Sequence, residues 1–129
     1  KKLWLNTDIY VSFAKIEGFG IPLLRMAAMH KPIVTLDNYN CGYMDYLNYD
    51  NSYLSPTVQV IAKDEHMNMY TKNTLWGIPK IDDTIDQLRQ VVREIDSGNS
   101  GKLVLDKILE TMKYESVIKK YSEVLKSLQ

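Results

Sequence analysis

The residues of this chain best suited to chemistry are the run Glu17-Gly18-Phe19-Gly20-Ile21-Pro22. It follows a β-branched and aromatic stretch, Asp8–Phe13, and leads into an apolar stripe at helical spacing. The first N–H groups of a helix have no internal partner and carry the positive end of its dipole. Two glycines let a ligand approach that backbone closely. A loop of this kind is a candidate phosphate-binding turn. Glu17 would repel a phosphate, so its carboxylate reads as an acceptor for hydroxyl groups such as those of sugar rings.

Two other readings concern the same residues. Gly18-Phe19-Gly20 matches the first half of the dinucleotide pattern G-x-G-x-x-G, and Asp37 ends the next apolar run, where that fold places a ribose carboxylate. However, Leu23 stands at the third glycine, and the loop from Phe13 to Gly18 is too long for the tight first turn. The plainest reading is that the glycines only shape a turn. His30 and Asp45 are explained without chemistry, by a helix-ending position and by a turn.

The elements that must carry this run read as strand, loop, helix, strand. Asp8–Phe13 has strand length and composition. Pro22 suits the first turn of a helix, and Leu23, Leu24, Ala27 and Ala28 share one face of a helix over Pro22–Met29. His30-Lys31-Pro32 stops it, and Pro32–Leu36 reads as a buried strand. This is a parallel crossover unit, with the two strands side by side, and the fold class is α/β.

Asn38–Asn51 and its surroundings are unusual, with five tyrosines from Tyr39 to Tyr53. They read as a loop and short helix whose tyrosines cover core edges, with ligand stacking as the alternative. Ser52–Ser55 and Val58–Ala62 look extended, and Lys63–Asn73 is a polar loop. After residue 80 the pattern is helical. Ile81, Ile85, Leu88, Val92 and Ile95 form one stripe, with Asp82 or Asp83 as N-cap candidates. Val104–Met112 form a second, which Ser100 caps, and Val117–Leu128 a third. All three stripes read as core faces.

Composition excludes several classes. The 129 residues make one domain. Sixteen basic residues balance sixteen acidic ones, so no electrostatic footprint for nucleic acid or an anionic membrane exists. The apolar runs are far short of the ~20 residues of a membrane span. The start, Lys1–Asn6, lacks the apolar core of a signal peptide. A single cysteine, Cys41, suits a reducing, cytoplasmic compartment. Neither Cys41 nor the two histidines, His30 and His66, suggest a metal site, and no Asp-x-Asp motif occurs.

The longer string resembles a known family. Ile9-Tyr10-Val11-Ser12, Glu17-Gly18-Phe19-Gly20-Ile21-Pro22-Leu23-Leu24, Met26-Ala27-Ala28 and Lys31-Pro32-Ile33-Val34 are similar to the C-terminal domain of GT-B retaining glycosyltransferases, family 4 (glycosyl transferases group 1). Cys41–Asp45 looks like that family's glycine-rich loop with its downstream acid. Asn51–Leu54, Trp76–Pro79 and Tyr114–Leu128 extend the similarity over nearly the whole chain.

The resemblance implies a Rossmann-like sheet and a nucleoside-diphosphate sugar as donor substrate, with no metal or other cofactor. It implies that Glu17 contacts donor-sugar hydroxyls and that Gly18, Phe19, Gly20 and Ile21 offer amides to the sugar and diphosphate. The family's second carboxylate, which binds the ribose diol, is replaced by Arg25. Arginine donates only, so Arg25 pairs with Glu17 or reaches a phosphate instead.

Further expectations follow. The chain is a fragment of the donor-binding domain, inactive alone. It needs an N-terminal domain or partner chain, with any contact to the inner face of a membrane made by that missing part. The first strands and a basic pair lie before Lys1, and the truncated sheet leaves an apolar edge that drives self-association. The competing reading is a non-catalytic interaction or regulatory module with a degenerate donor site.

Overall fold

A computed structural model describes residues 2–62, 73–104 and 106–127. Its organising element is Ile33–Leu36, a run rich in β-branched residues and buried at all four positions. A strand covered on both faces belongs inside a sheet. It is the central strand β2, flanked by β1 (Tyr10–Ser12) and β3 (Tyr53–Ser55) in the order β1-β2-β3. Both pairings are parallel, with Tyr10 opposite Ile33 and Val34 opposite Tyr53. A short helix α1 (Lys2–Leu5) precedes β1, and α2 (Ile21–Ala27) joins β1 to β2, as the sequence predicts.

Successive residues of β2 face opposite ways. On one side Ile33 packs with Leu23, Met26 and Ala27 of α2, and with Cys41, Tyr43, Tyr46 and Leu47 of the next connection. On the other, Val34 and Tyr53 meet Val91 of α3 (Ile81–Asp96). The result is a three-layer α/β arrangement compatible with a Rossmann-like fold. A one-turn 3-10 helix, Gly42–Asp45, lies between β2 and β3. Beyond β3, β4 (Thr57–Ile61) and β5 (Leu75–Pro79) form an antiparallel hairpin. The chain ends in α4 (Asp106–Thr111) and α5 (Tyr114–Ser127). No helix among the described residues is long and apolar enough to cross a membrane.

Several expectations need correction. The strand predicted over Asp8–Phe13 is only Tyr10–Ser12, and α2 is shorter than Pro22–Met29. Trp76–Pro79, given no secondary structure on sequence alone, belongs to β5. Lys80 holds the N-cap position of α3, so Asp82 and Asp83 lie in its first turn, where they complement the dipole. Ser100 does not cap α4, which begins at Asp106. The α5 stripe is not a core face: none of its residues is buried, and Tyr121 and Leu125 are well exposed. The loop expected over Lys63–Asn73 lies outside the described residues except for Asn73, and Leu128 lies outside them too.

Among the described residues β1 pairs only with β2, and its Val11 is exposed. His30, just past α2, has φ 51°, the left-handed conformation that a helix-ending position calls for.

Candidate functional site

The loops that follow β1 and β2 lie at the carboxyl ends of parallel strands, where ligands of open α/β sheets bind. The first carries Glu17-Gly18-Phe19-Gly20. Gly20 is the N-cap of α2 with φ 74° and ψ 49°, a conformation that strains any side chain. A Cβ on Gly20 would also stand 2.9 Å from the Tyr46 hydroxyl. The Gly20 carbonyl accepts the first helical bond, from Leu24 N–H at 2.9 Å.

The turn is held from behind by the segment between β2 and β3. The single proton of the Tyr46 hydroxyl is shared between the Gly20 carbonyl at 2.8 Å and the Phe19 carbonyl at 3.0 Å. The Phe19 and Tyr46 rings lie 5.6 Å apart, tilted at 54°. Gly42 N–H donates to the Glu17 carbonyl at 3.2 Å. Tyr43 anchors this clamp to the sheet through a 3.0 Å bond to the Leu36 carbonyl. Burial above all, and the nearby charge of Glu17 next, push the Tyr46 hydroxyl well above the ordinary tyrosine range. It therefore remains a donor at all moderate pH values.

With its carbonyls fixed from behind, the turn turns its other groups elsewhere. Among the described residues, the N–H groups of Gly18, Phe19, Gly20 and Ile21 donate to no protein acceptor. The half-buried Glu17 carboxylate makes no ion pair or hydrogen bond among them either. A Cβ at Gly18 would meet nothing within 4 Å, so packing within this chain does not demand that glycine. Such a set, four consecutive amide donors beside one carboxylate, offers donors to an anion and an acceptor to hydroxyls.

Arg25 stands apart from this group. Its guanidinium lies 5.3 Å from the centroid of the Trp4 ring, a cation–π contact with α1. The expected pairing with Glu17 is not made. Because α2 has only seven residues, Arg25 belongs to its last turn, where the helix dipole favours a cation. Asp37, the ribose-carboxylate position of the dinucleotide reading, is engaged by the Tyr49 hydroxyl at 2.5 Å. Asp45 is exposed at the end of the 3-10 turn. His30 meets Asp106 at the surface, 3.5 Å away.

Two residues that sequence reasoning did not single out, Tyr46 and Asn38, shape the site together with Gly42, which it read only as part of the Cys41–Asp45 loop. Asn38 is fully buried and donates to the Lys15 carbonyl at 2.8 Å, tying the loop after β1 to the end of β2. Only the tyrosine-rich character of the stretch pointed towards Tyr46. Among the described residues no group of three or more His, Cys, Asp or Glu could hold a metal ion. A scan against protein-family models, a search of curated proteins and a search of solved structures each return no match to this chain.

Proposed function

We propose that this chain is the donor-binding part of a retaining glycosyltransferase of the hexosyltransferase kind. It would transfer a sugar from a nucleoside-diphosphate sugar to an acceptor, with the cleft completed by an N-terminal domain or partner chain. The observation that carries this reading is the Glu17–Ile21 turn, clamped through its carbonyls, with four amides and a neighbouring carboxylate that have no partner among the described residues. The amides suit a diphosphate, and Glu17 suits the hydroxyls of the attached sugar. The string Glu17-Gly18-Phe19-Gly20-Ile21-Pro22 and its similarity to family 4 glycosyltransferases supply the reaction class.

Calorimetric titration of the chain with UDP, GDP and ADP and their glucose conjugates tests it. Binding of at least one pair is expected. Glu17→Ala should weaken the nucleotide sugar by about 1.5–3 kcal/mol, the scale of a charged hydrogen bond, and leave the free nucleoside diphosphate unchanged. No binding by any of the six, or equal loss for both members of a pair, would overturn it.

The second reading, a non-catalytic module with a degenerate donor site, is favoured by Arg25, whose stacking on Trp4 gives it a structural role needing no ligand. Arg25→Glu separates the two. Weaker nucleoside diphosphate binding at low salt marks Arg25 as a phosphate ligand; tighter binding at low and high salt marks a decayed diol site.

A further inference from the structure

Beside the turn is a cleft of about 330 Å³ that the proposed donor site does not use, lined by Ile16, Tyr39, Asn40, Asn73, Thr74 and Leu75. Three separate segments form it: the loop after β1, the loop after β2, and the start of β5 with the two residues before it, at the loop end of the β4–β5 hairpin. We propose that this cleft is a saccharide-binding subsite that takes a neutral sugar ring.

The lining chemistry selects that class. The two side-chain amides, of Asn40 and Asn73, combine donors with acceptors, as a ring of hydroxyls requires, because each hydroxyl both gives and receives a hydrogen bond. Tyr39, 69% exposed, offers an aromatic face, and Ile16 and Leu75 supply apolar surface for the C–H side of a sugar ring. No described residue of the lining carries a charge at neutral pH. Lys15, next to Ile16, has its ammonium 4.8 Å from the centre of the Trp76 ring. An anionic ligand would therefore find no counter-charge among the described residues of the lining, and a purely apolar one would leave the amides unpaired.

The walls are also built to hold their places. The side chain of buried Asn38 donates to the Lys15 carbonyl at 2.8 Å, beside Ile16. Its carbonyl accepts Asn40 N–H at 3.3 Å, beside Tyr39. Gly77 of β5 packs on the same side chain: a Cβ there would lie 2.9 Å from Asn38 Cγ and Nδ2. The hairpin continues past Leu75 through Ala62 N–H to the Thr74 carbonyl at 2.8 Å. One buried amide thus sets all three walls. Preorganisation of this kind lowers the entropy that binding must overcome.

The subsite does not depend on the donor reading, and the two are measured on different signals. Side-chain amide resonances of Asn40 and Asn73, assigned through Asn40→Ala and Asn73→Ala, are followed in the full chain. Glucose, galactose, mannose and N-acetylglucosamine are titrated to about 100 mM, which covers single-site affinities near 1 mM. Inorganic phosphate is the control. At least one sugar should move both amide signals, with no comparable effect of phosphate. Tyr39→Ala, at an exposed position, should keep the dispersed spectrum and weaken that sugar roughly tenfold, the scale of a lost aromatic contact. If none of the four sugars moves the signals, if phosphate moves them equally, or if Tyr39→Ala binds like the wild type, the proposal fails. Nucleoside diphosphates report separately, on the backbone amides of Gly18–Ile21.

Discussion

Gly42 lies so close to Gly18 that a Cβ on Gly42 would stand 2.1 Å from the Gly18 carbonyl oxygen and 3.3 Å from Phe19 Cα. The contact is backbone on backbone, so no side-chain rotation relieves it. Gly42→Ala should therefore destabilise the protein by about 1–3 kcal/mol, the range for overpacking, and displace the amide signals of Gly18–Ile21. Gly18→Ala meets open space and should change stability by no more than about 0.5 kcal/mol. Urea unfolding of both variants checks this; equal losses would contradict the geometry.

Tyr46→Phe keeps the ring against Phe19 and removes the hydroxyl that binds two carbonyls. A loss of about 1–2 kcal/mol is expected, since two acceptors lose their donor. The variant should also weaken any ligand of the turn while leaving the Asn40 and Asn73 signals in place. A stability unchanged from the wild type would show that the clamp is not made.

The tyrosines make stability depend on alkaline pH. Burial, and then the Glu94 carboxylate, raise Tyr53 to about 12; the Asp37 carboxylate, first as hydrogen-bond acceptor, raises Tyr49 to about 12. Burial raises Tyr43 and Tyr46 further. For a group whose folded pKa lies above its unfolded value, the stabilisation is complete below the unfolded value, here 10.0, and is lost as pH rises through the folded one. The unfolding midpoint should be insensitive to these groups below about pH 9.5 and fall steeply between about pH 10 and 12. Tyr53→Phe should make that fall shallower. At the acid end Glu94, lowered by hydrogen bonds from Tyr53 and then Gln90, loses its contribution as pH drops below its ordinary 4.5 and through its folded value.

His30 adopts a positive φ at the end of α2 and gains only an exposed contact with Asp106. Glycine removes the strain, so His30→Gly should raise stability by about 0.5–1 kcal/mol. His30→Val, β-branched, should lower it by more than that, because its side chain fits the left-handed region worst. Thermal unfolding of the pair decides, and a more stable valine variant would rule out the strain.

The fold was legible where the pattern is local. β-branched residues announced β1 and β2, Pro22 and the stripe behind it announced α2, and His30 announced the helix end. Spacing alone placed α3 and α5. The β5 strand was not legible, because Leu75-Trp76-Gly77-Ile78-Pro79 mixes strand formers with glycine and proline, and its glycine answers to Asn38, far away in sequence. Similarly, the stripe of α5 looks like a core face by periodicity, but periodicity does not say whether anything covers it. At the site, Glu17 and the glycines stood out by type and order. Gly42 and Tyr46 act across more than twenty residues, and nothing in their neighbours records which backbone they touch. Arg25 falls in the last turn of α2 because the helix ends at Ala27, two residues before the end that the stripe suggested.

The clamp through Tyr46 and Gly42 also decides whether this turn is portable. A peptide covering the β1–α2–β2 crossover contains Glu17, both glycines and Arg25, yet neither Tyr46 nor Gly42, which hold the turn's carbonyls from behind. Excised or grafted alone, it would retain the letters of the motif and lose its shape, with Gly18 and Gly20 free to sample many backbone states. The smallest transferable unit therefore runs from β1 through β3. Any chain that borrows the six-residue string without a tyrosine behind it carries the spelling of the site but not its conformation.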